Sequence, residues 1–349
     1  MDRPNMGDVA REAGVSKNTV SLALRGSHRV AKETRERVEA VARDLGYQLN
    51  PTVAQLMSEL RQNRTAGFQA TLALVNANES RSAFADHPTV PIYVEGCRRR
   101  AERLGYALDE FWLHDPELSL ARWQSIFRAR NIRGALIVGM MSSNRLPVRL
   151  APLWEEFPAL VTGVRTRNPA LSYACSDHHS LAILAFEKAL ELGYRRPAMV
   201  LDGVIDRLIE GRFTAGFLTA QSRVIPVSER TEPFFDVSGA RIDLEVFRRW
   251  FEVNRPDVIF TLYHDVARWI EEIGLRCPED VGLIQYEWRE DHAAWAGMNQ
   301  HNDQVGEAAV DMLVSLVQHH ERGISKYPRA TLIGSEWVDG VTVRPNPKH

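Results

Sequence analysis

The first 45 residues place apolar side chains at helical spacing, three or four positions apart. The pattern predicts a short helix that ends before Gly14, a second helix over residues 17–24, and a third over residues 32–45. Gly14 permits a sharp turn between the first two helices, and Ser16 occupies the N-cap position of the second. The apolar faces of these helices consist of Val9, Ala10, Ala13, Val20, Leu24, Val38, Val41, Ala42 and Leu45.

The second predicted helix has a polar face that its apolar packing leaves free. Two short helices joined by a tight turn, with a third to hold them, are typical of a helix-turn-helix, whose second helix enters the major groove of DNA. The alternative is that these helices belong to a larger core. Asn50 and Pro51 argue against it, because an N-cap residue followed by Pro predicts a further short helix directly after the three. We therefore predict a small DNA-reading head followed by a hinge.

From about Gln69 onward, short apolar runs alternate with amphipathic helices, and the pattern restarts near residue 179. Such alternation predicts right-handed crossovers and parallel sheets covered by helices on both faces. Two Rossmann-like halves follow, with a ligand expected between them at the carboxyl ends of the strands. The predicted strands are 70–75, 106–113, 134–139, 159–161, 197–201, 257–262, 281–285 and 331–337, and the predicted helices are 90–104, 118–130, 179–192, 212–221, 244–253, 264–273 and 303–320.

Charge is distributed unevenly along a chain of otherwise ordinary composition. The 349 residues are 44% hydrophobic and 25% charged, as in most soluble globular proteins, and the net charge is −2. Residues 1–64 nevertheless contain 11 Lys and Arg against 8 Asp and Glu. The predicted head is therefore basic and the body acidic, which suits contact with phosphates at one end only.

The cysteines and the longest apolar runs bear on the cellular compartment. Cys97, Cys175 and Cys277 are far apart and odd in number, which favours a reducing environment without a disulfide framework or metal cluster. No apolar run reaches the roughly 18 residues that cross a membrane, and MDRPNMGDVA lacks the apolar core of a secretion signal. We expect a cytoplasmic protein with no membrane partner, metal or cofactor.

An enzyme fused to a DNA-binding head, such as a sugar kinase or an oxidoreductase, is the alternative from another functional class. The sequence lacks the phosphate loop G-x-x-x-x-G-K-[ST], lacks G-x-G-x-x-G after the first strand, and lacks both H-E-x-x-H and G-x-S-x-G. A periplasmic-type binding protein is a third alternative, which the predicted head opposes. We therefore predict that the chain is not an enzyme.

Head and body both resemble the LacI/GalR family of bacterial transcriptional regulators. In the head the resemblance rests on DVAREAGVSKNTVSLAL, on RVAKETRERVEAVARDLGY and on N-x-x-x-A-x-L in the hinge. In the body it rests on LELGYRRPAMVLDG, PDVIFTLYHDVARWIEEIGLRCPEDVGLIQYE and AGMNQHNDQVGEAAVDMLVSLV, so that it covers nearly the whole chain. It implies an α/β protein with an N-terminal all-α helix-turn-helix head and a periplasmic-binding-protein-like effector domain of two Rossmann-like subdomains.

The resemblance also implies where the segments begin and end. In the family the chain crosses between subdomains three times, and we place the crossings near Ala174, Gly297 and Ile333. The expected segments are the head over residues 1–49, the hinge helix and linker over 50–68, the effector N-subdomain over 69–174 and 298–332, and the C-subdomain over 175–297 and 333–349.

The second helix and the hinge carry the expected DNA contacts. In the family, the hinge helices of two subunits pair over the DNA and wedge a leucine into the minor groove; Leu56 matches that leucine, with Met57 beside it. Leu22 stands where many members have Arg, so contact with a thymine methyl group replaces a bidentate contact with guanine. The expected DNA-binding residues are Ser16, Lys17, Asn18, Thr19, Ser21, Leu22, Arg29, Thr34, Asn50 and Leu56.

Two charged residues match the family's effector-binding positions. Asp265, at the end of a predicted strand, matches an Asp that binds the effector, although it can equally cap the next helix. Arg212 matches the family's Arg less closely, because one extra residue separates it from Gly216. Arg212 is therefore either an effector ligand or a solvated helix residue.

Aromatic residues and one loop complete the expected effector site. Tyr263 and Trp288 are candidate platforms for the apolar face of a sugar, although aromatics near a cleft more often belong to a core or an interface. His87 lies in the long polar loop after the first strand, where ligands are commonly contacted. The polar residues of the site suit hydroxyl groups, because carboxylates and guanidinium groups bind them well.

Together these features predict a transcriptional regulator, more often a repressor than an activator in this family. It is expected to bind double-stranded operator DNA of pseudo-palindromic sequence as a homodimer, because one head contacts too few bases and phosphates for specific affinity. A small-molecule effector, expected to be a sugar or a sugar derivative, controls it by preferring one arrangement of the subdomains.

Overall fold

The structure, a computed structural model, describes residues 6–24, 30–45 and 68–345. Inside the first range, the side chains of residues 6, 17, 18, 21 and 22 lie outside this description. The chain divides into two compact units, residues 1–67 and residues 68–349. Each unit has its own apolar core, so each is described separately.

The first unit is helical, as its sequence pattern predicts. Gly14 has a φ of +65°, the left-handed conformation that a tight turn between two helices requires. The Ser16 hydroxyl accepts a hydrogen bond of 3.1 Å from the Thr19 N–H and so provides the predicted N-cap. Val9, Val20 and Val38 are fully buried between the helices. The described residues form α1 (Met6–Glu12), α2 (Lys17–Leu24) and α3 (Lys32–Asp44).

The first half of the second unit alternates strands and helices. Four of its five strands are buried along most of their length, as expected for a parallel sheet covered on both faces, and the strand over residues 106–112 is partly exposed. Its elements are β1 (Ala70–Asn76), α4 (Ala83–Asp86), α5 (Val90–Arg103), β2 (Tyr106–Trp112), α6 (Leu120–Ala129), β3 (Ile132–Val138), α7 (Ala151–Glu156), β4 (Ala159–Thr162), β5 (Ser172–Ser176) and α8 (His178–Glu191).

The second half repeats the alternation and ends on two short strands. Its elements are β6 (Pro197–Val200), α9 (Gly203–Leu208), α10 (Arg212–Val224), α11 (Val237–Ile242), α12 (Glu245–Asn254), β7 (Val258–Thr261), α13 (Asp265–Glu272), β8 (Gly282–Gln285), β9 (Ala296–Asn299), α14 (Asn302–Gln318), β10 (Ala330–Ile333) and β11 (Glu336–Val338). Short 3₁₀ turns cover residues 148–150, 227–229 and 290–292.

These strands form two sheets. The first sheet is parallel, with strand order β2-β1-β3-β4-β5-β10. The second has the order β6-β7-β8-β9-β11, and only β11 runs antiparallel to its neighbour. The chain passes from one sheet to the other after Ser176, after Asn299 and after Ile333; the sequence places these passages near Ala174, Gly297 and Ile333. Each sheet, with its covering helices, therefore contains residues from distant parts of the chain.

Helices α5 and α14 pack closely against each other on the first sheet. A Cβ atom on Gly96 of α5 would lie 1.9 Å from the Asp303 carbonyl oxygen, and one on Gly306 of α14 would lie 2.3 Å from the Tyr93 carbonyl oxygen. Only glycine fits at these two positions, because any side chain would push the backbones apart. The first sheet is thus covered by a helix that the chain supplies after residue 300.

The structure differs from the sequence prediction at several short elements. The single strand predicted over residues 331–337 is wrong: it is two strands, β10 and β11, which pair in different sheets on either side of Gly334. Strands β5 and β9 have no matching prediction of their own, because SYACS and AGMN lack a run of branched apolar residues. Their neighbours in the sheets bury them, which no local pattern reveals.

Candidate functional site

The start of α2 carries the described part of the predicted DNA-binding surface. Ser16 and Thr19 lie there together, with their hydroxyl oxygens 2.8 Å apart. Thr34 lies in the first turn of α3 and is partly exposed. The side chains of Lys17, Asn18, Ser21 and Leu22, and the whole of Arg29, Asn50 and Leu56, lie outside the described residues.

A cavity of about 470 Å³ lies between the two sheets of the second unit. Met140 follows β3 and Gly163 follows β4, so the first sheet contributes residues just beyond the carboxyl ends of its strands. Tyr263 follows β7 and Glu287 follows β8, so the second sheet contributes in the same way. This is the position at which open α/β sheets bind their ligands.

Three of the five predicted effector residues line this cavity: His87, Tyr263 and Asp265. Arg212 and Trp288 are not among the described residues that line it. Trp288 faces a neighbouring cavity of about 690 Å³ instead. The structure thus brings together part of the predicted set and separates the rest.

Asp265 is the first residue of α13, and His264 occupies the N-cap position without a side-chain capping bond. The capping role considered for Asp265 is therefore absent from this structure. Its carboxylate accepts a hydrogen bond of 2.8 Å from Arg241 Nε and lies 3.6 Å from the Arg268 guanidinium. Arg241 also stands over the Tyr263 ring, 5.3 Å from its centroid. The guanidinium at this end of the cavity is Arg241.

Arg212 is engaged with residues of β5 and is not among the residues that line the cavity. Its Nη2 donates a hydrogen bond of 2.7 Å to the Tyr173 hydroxyl, and its Nη1 lies 3.3 Å from Cys175 Sγ. The next residue, Phe213, faces the cavity and stacks on Tyr286 with ring centroids 4.7 Å apart. Successive residues of a helix point about 100° apart, so a shift by one residue replaces a guanidinium in the wall with a phenyl ring.

His87 caps the start of α5 with its ring. Its Nδ1 accepts hydrogen bonds from the N–H groups of Thr89 and Val90, at 3.1 and 3.3 Å. An accepting Nδ1 carries no proton, so the neutral ring has its proton on Nε2. Burial, and then the charge of Arg289, lower the pKa of His87 and favour this neutral form.

Glu287 connects the two halves of the unit and has no counterpart among the predicted site residues. Its carboxylate accepts hydrogen bonds from the Thr89 hydroxyl, at 3.1 Å, and from the Asn302 amide, at 2.9 Å. Burial raises the pKa of Glu287. Glu287 lies two residues after the strand predicted over residues 281–285, and this position is the sequence signal that could have identified it.

Two histidines in the wall are held in their neutral form. His178, next to the end of β5, is buried with its ring edge on Phe213, and desolvation lowers its pKa to about 4. His264 stacks on His292 with ring centroids 3.6 Å apart, and burial followed by repulsion from His292 also lowers its pKa to about 4. Near neutral pH the cavity's fixed charges therefore come from its arginines and carboxylates.

The described residues contain no group of three or more His, Cys, Asp or Glu placed to hold a metal ion. None of the helices they form is both long enough and apolar enough to span a bilayer.

Comparison with known proteins agrees with this architecture. Residues 5–50 match the family described as bacterial regulatory proteins, lacI family, and residues 186–335 match the periplasmic binding protein-like domain. The chain is 25% identical to the HTH-type transcriptional repressor PurR of Klebsiella pneumoniae (strain 342), over 92% of this chain and 94% of that protein. It is 26% identical to the lactose operon repressor of Escherichia coli (strain K12), over 89% of this chain and 84% of that protein.

Solved structures show the same fold. A complex of the transcriptional regulator CelR with cellobiose matches with a TM-score of 0.58 and 19% identity, covering 97% of this chain and all of that one. The lac repressor dimer bound to operator and the anti-inducer ONPF matches with a TM-score of 0.57 and 22% identity, covering 99% of this chain and all of that one.

Three findings point to the same kind of protein. They are the helix-turn-helix in the first unit, the cavity between the two sheets of the second unit, and the similarity to repressors over nearly the whole length of the chain. The relatives are repressors by name, which agrees with the prediction that the chain is not an enzyme. The chain therefore joins a segment that matches the lacI family of bacterial regulatory proteins, residues 5–50, to one that matches the periplasmic binding protein-like domain, residues 186–335, and it is similar to repressors with these domains over most of its length.

Proposed function

We propose that this regulator binds a pseudo-palindromic operator as a homodimer and that a small molecule in the cavity between its sheets controls the binding. The observation that carries the proposal is that cavity, about 470 Å³ in volume and lined from both sheets, within a chain that also carries a helix-turn-helix. Repression is the proposed outcome, because both relatives described above are named as repressors.

The dimer follows from the small size of the head. A single recognition helix offers few side chains to base edges, whereas two heads on successive major grooves supply the contacts that specific binding needs. The lac repressor, which has this fold, is solved as a dimer on its operator. We propose that Lys17, Asn18, Ser21 and Leu22 face the bases and that Leu56 enters the minor groove at the hinge.

The control of DNA binding follows from where the cavity lies. A ligand that touches both sheets favours one of their relative arrangements, and this difference in affinity is what couples its binding to the rest of the protein. A sugar or a sugar derivative is the first effector class to test, because CelR is solved with cellobiose. His87, Tyr263 and Asp265 are its proposed polar contacts.

Selection of binding sites from a pool of random duplexes tests the DNA-binding part. We expect the enriched sequences to contain two inverted half-sites at one fixed spacing, and a duplex with one half-site moved by half a helical turn to bind much more weakly. Enriched sequences without two-fold symmetry would contradict the homodimer.

Operator binding then provides the test for an effector. Compounds that raise the thermal unfolding temperature of the protein are added to the operator complex, and the dissociation constant is measured by fluorescence anisotropy. We expect at least one such compound to change operator affinity while leaving binding to random DNA unchanged. If every stabilising compound left operator affinity the same, the proposed control would be wrong.

A further inference from the structure

One side of the cavity wall is apolar. Ile205 and Leu208 on α9, Ile209 after it and Phe213 on α10 all line the cavity from the second sheet, and Met140 lines it from the first. A sugar carries hydroxyl groups around its whole ring, and those that face such a wall lose their hydrogen bonds to water without replacement. The wall therefore fits a ligand that is apolar over a large part of its surface.

The two carboxylates that line the cavity, Asp265 and Glu287, already have partners. The Asp265 carboxylate is held by Arg241 and Arg268, and both oxygens of Glu287 accept hydrogen bonds from the protein. A neutral polyol needs free acceptors in the protein, because each of its hydroxyl groups donates a hydrogen bond. Both carboxylates of this wall instead interact with side chains of the protein itself.

Donors, in contrast, remain available. Arg241 and Arg289 each donate a hydrogen bond from Nε, to Asp265 and to Asp291. Within residues 68–345 the structure records no hydrogen bond from their terminal Nη groups, and Arg289 Nη1 lies 4.0 Å from the Glu287 carboxylate. The Arg289 side chain is only 13% exposed, so its guanidinium is fixed by the packing around it. His87 has its proton on Nε2, because its Nδ1 accepts two backbone hydrogen bonds. Pairs of Nη groups match the two oxygens of a carboxylate.

From the apolar wall and these hydrogen-bond donors we propose that the effector is an amphipathic organic acid, with an aliphatic or aromatic body and one carboxylate head. Its body packs against the wall formed by Ile205, Ile209 and Phe213, and its carboxylate accepts hydrogen bonds from Arg289 or Arg241. This inference rests on the proposed function, because it takes the cavity as the effector site. It names an amphipathic acid as the effector class in place of a neutral sugar.

Calorimetric titration of the full-length protein with four matched probes tests the ligand class. 4-Phenylbutyrate has both an apolar body and a carboxylate, 4-phenyl-1-butanol only the body, gluconate only the carboxylate, and methyl glucoside neither. We expect phenylbutyrate to bind at least tenfold more tightly than the other three. A series of straight-chain carboxylates from butanoate to octanoate is expected to gain about fourfold in affinity per methylene group, the gain typical of a methylene transferred out of water.

Matched variants locate the binding. Ile205→Gln, in the wall, should weaken octanoate binding at least fivefold, whereas Ile242→Gln, at a side chain that is 90% exposed, should not change it. Arg289→Gln should weaken octanoate binding at least tenfold and leave phenylbutanol unaffected, with Arg248→Gln, which pairs with Glu245 on the surface, as its control. Far-ultraviolet circular dichroism confirms that each variant is folded.

The outcomes separate this inference from the proposed function. Carboxylates that bind with the expected chain-length dependence support the ligand class assigned to the cavity. If they also leave operator affinity unchanged, the effector role of the cavity proposed above fails, whereas the ligand class stands. Methyl glucoside or gluconate binding more tightly than phenylbutyrate and changing operator affinity would overturn it and keep the proposed function. Absence of any octanoate or phenylbutyrate binding at their solubility limits would also overturn it.

Discussion

The Thr89 hydroxyl and the Glu287 carboxylate form a hydrogen bond of 3.1 Å that joins the two halves of the ligand-binding unit. Thr89 precedes α5, which packs on the first sheet, whereas Glu287 lies two residues after the end of β8 in the second. The Glu287 side chain is only 15% exposed, so water does not readily replace this donor when it is lost. The carboxylate oxygen then keeps only Arg289 Nη1, at 4.0 Å, as a neighbour. The bond therefore favours the arrangement of the two sheets that the structure shows.

Replacing Thr89 by Val removes the hydroxyl and keeps the shape. We expect the free energy of unfolding to fall by about 1–3 kcal/mol, the usual effect of leaving a buried acceptor unsatisfied, as measured by urea denaturation. Thr89→Ser retains the donor and is the control, with an expected loss well below that of the Val variant. If the Val variant were as stable as the Ser variant, the hydrogen bond would contribute no more to stability than the methyl group that Ser lacks.

Arg212 and Arg241 are expected to behave in opposite ways when replaced by Gln. Arg212 bonds to Tyr173 away from the cavity, so its loss should lower stability by about 1–2 kcal/mol and leave effector affinity near that of the wild type. Arg241 lines the cavity and is partly exposed, so its loss should weaken effector binding with little change in stability. Calorimetry measures the effector affinity of both variants, and urea denaturation measures their stability. An Arg212 variant that no longer binds the effector but keeps its stability would contradict this expectation.

The fate of Arg212 shows what the sequence could predict and what it could not. The alternation of strands and helices determines the sheets, and a residue just after a strand can be assigned to the ligand edge, as for Tyr263 and Asp265. Which face of α10 turns to the cavity depends on where that helix begins, and a shift of one residue exchanges Arg212 for Phe213. Short-range patterns do not reveal it.

Arg241 shows a second kind of gap between sequence and structure. It lies on a six-residue helix, α11, and reaches Asp265 across 24 positions of the chain. No motif marks it, because its role depends on how α11 packs beside the start of α13. The hydrogen bond between Thr89 and Glu287 spans 198 positions and is hidden for the same reason.

Acid should destabilise the protein through its buried histidines. The pKa of His178 is about 4 in the folded protein, against 6.5 for an exposed histidine, so between these values the unfolded chain binds a proton that the folded chain does not. Stability should therefore fall as the pH decreases from about 6.5 to 4, by up to about 1.4 kcal/mol per pH unit. His264 acts in the same direction.

The variant His178→Phe isolates the contribution of that ring. It should flatten the dependence of unfolding free energy on pH in this range, because Phe fills the apolar site beside Phe213 without a titrating group. His179→Phe, at the neighbouring and partly exposed position, is the control and should keep the wild-type slope. An unchanged slope in the His178 variant would assign the pH dependence to other groups.

Recognition of bases by α2 is tested by Asn18→Ala. An outward-facing Asn on a recognition helix typically pairs with adenine, so we expect a loss of about 1–3 kcal/mol on the selected operator and relaxed preference at one base pair. Anisotropy titrations on the operator, its single-base variants and random duplexes measure this. Equal weakening on all duplexes would mean that Asn18 contacts only the backbone.

Leu56→Ala tests the proposed wedge at the hinge. Removing an apolar side chain that separates two base steps should reduce both the specific affinity and the bend in the DNA, with effector affinity unchanged. Circular-permutation gel shifts give the bend angle, and Met57→Ala is the matched comparison. A normal bend in the Leu56 variant together with a reduced bend in the Met57 variant would transfer the role to Met57.

The close contact of α5 with α14 has a consequence for the order in which the protein is completed during synthesis. The head is contained in the first 67 residues and leaves the ribosome first, whereas the first sheet lacks α14 and its edge strand β10 until residue 333 has been added. Until then the face of α5 around Gly96, shaped to receive a backbone, is uncovered. A nascent chain can thus carry a finished DNA-reading head well before it can respond to a ligand, and translation that stops before residue 300 leaves a fragment of that kind.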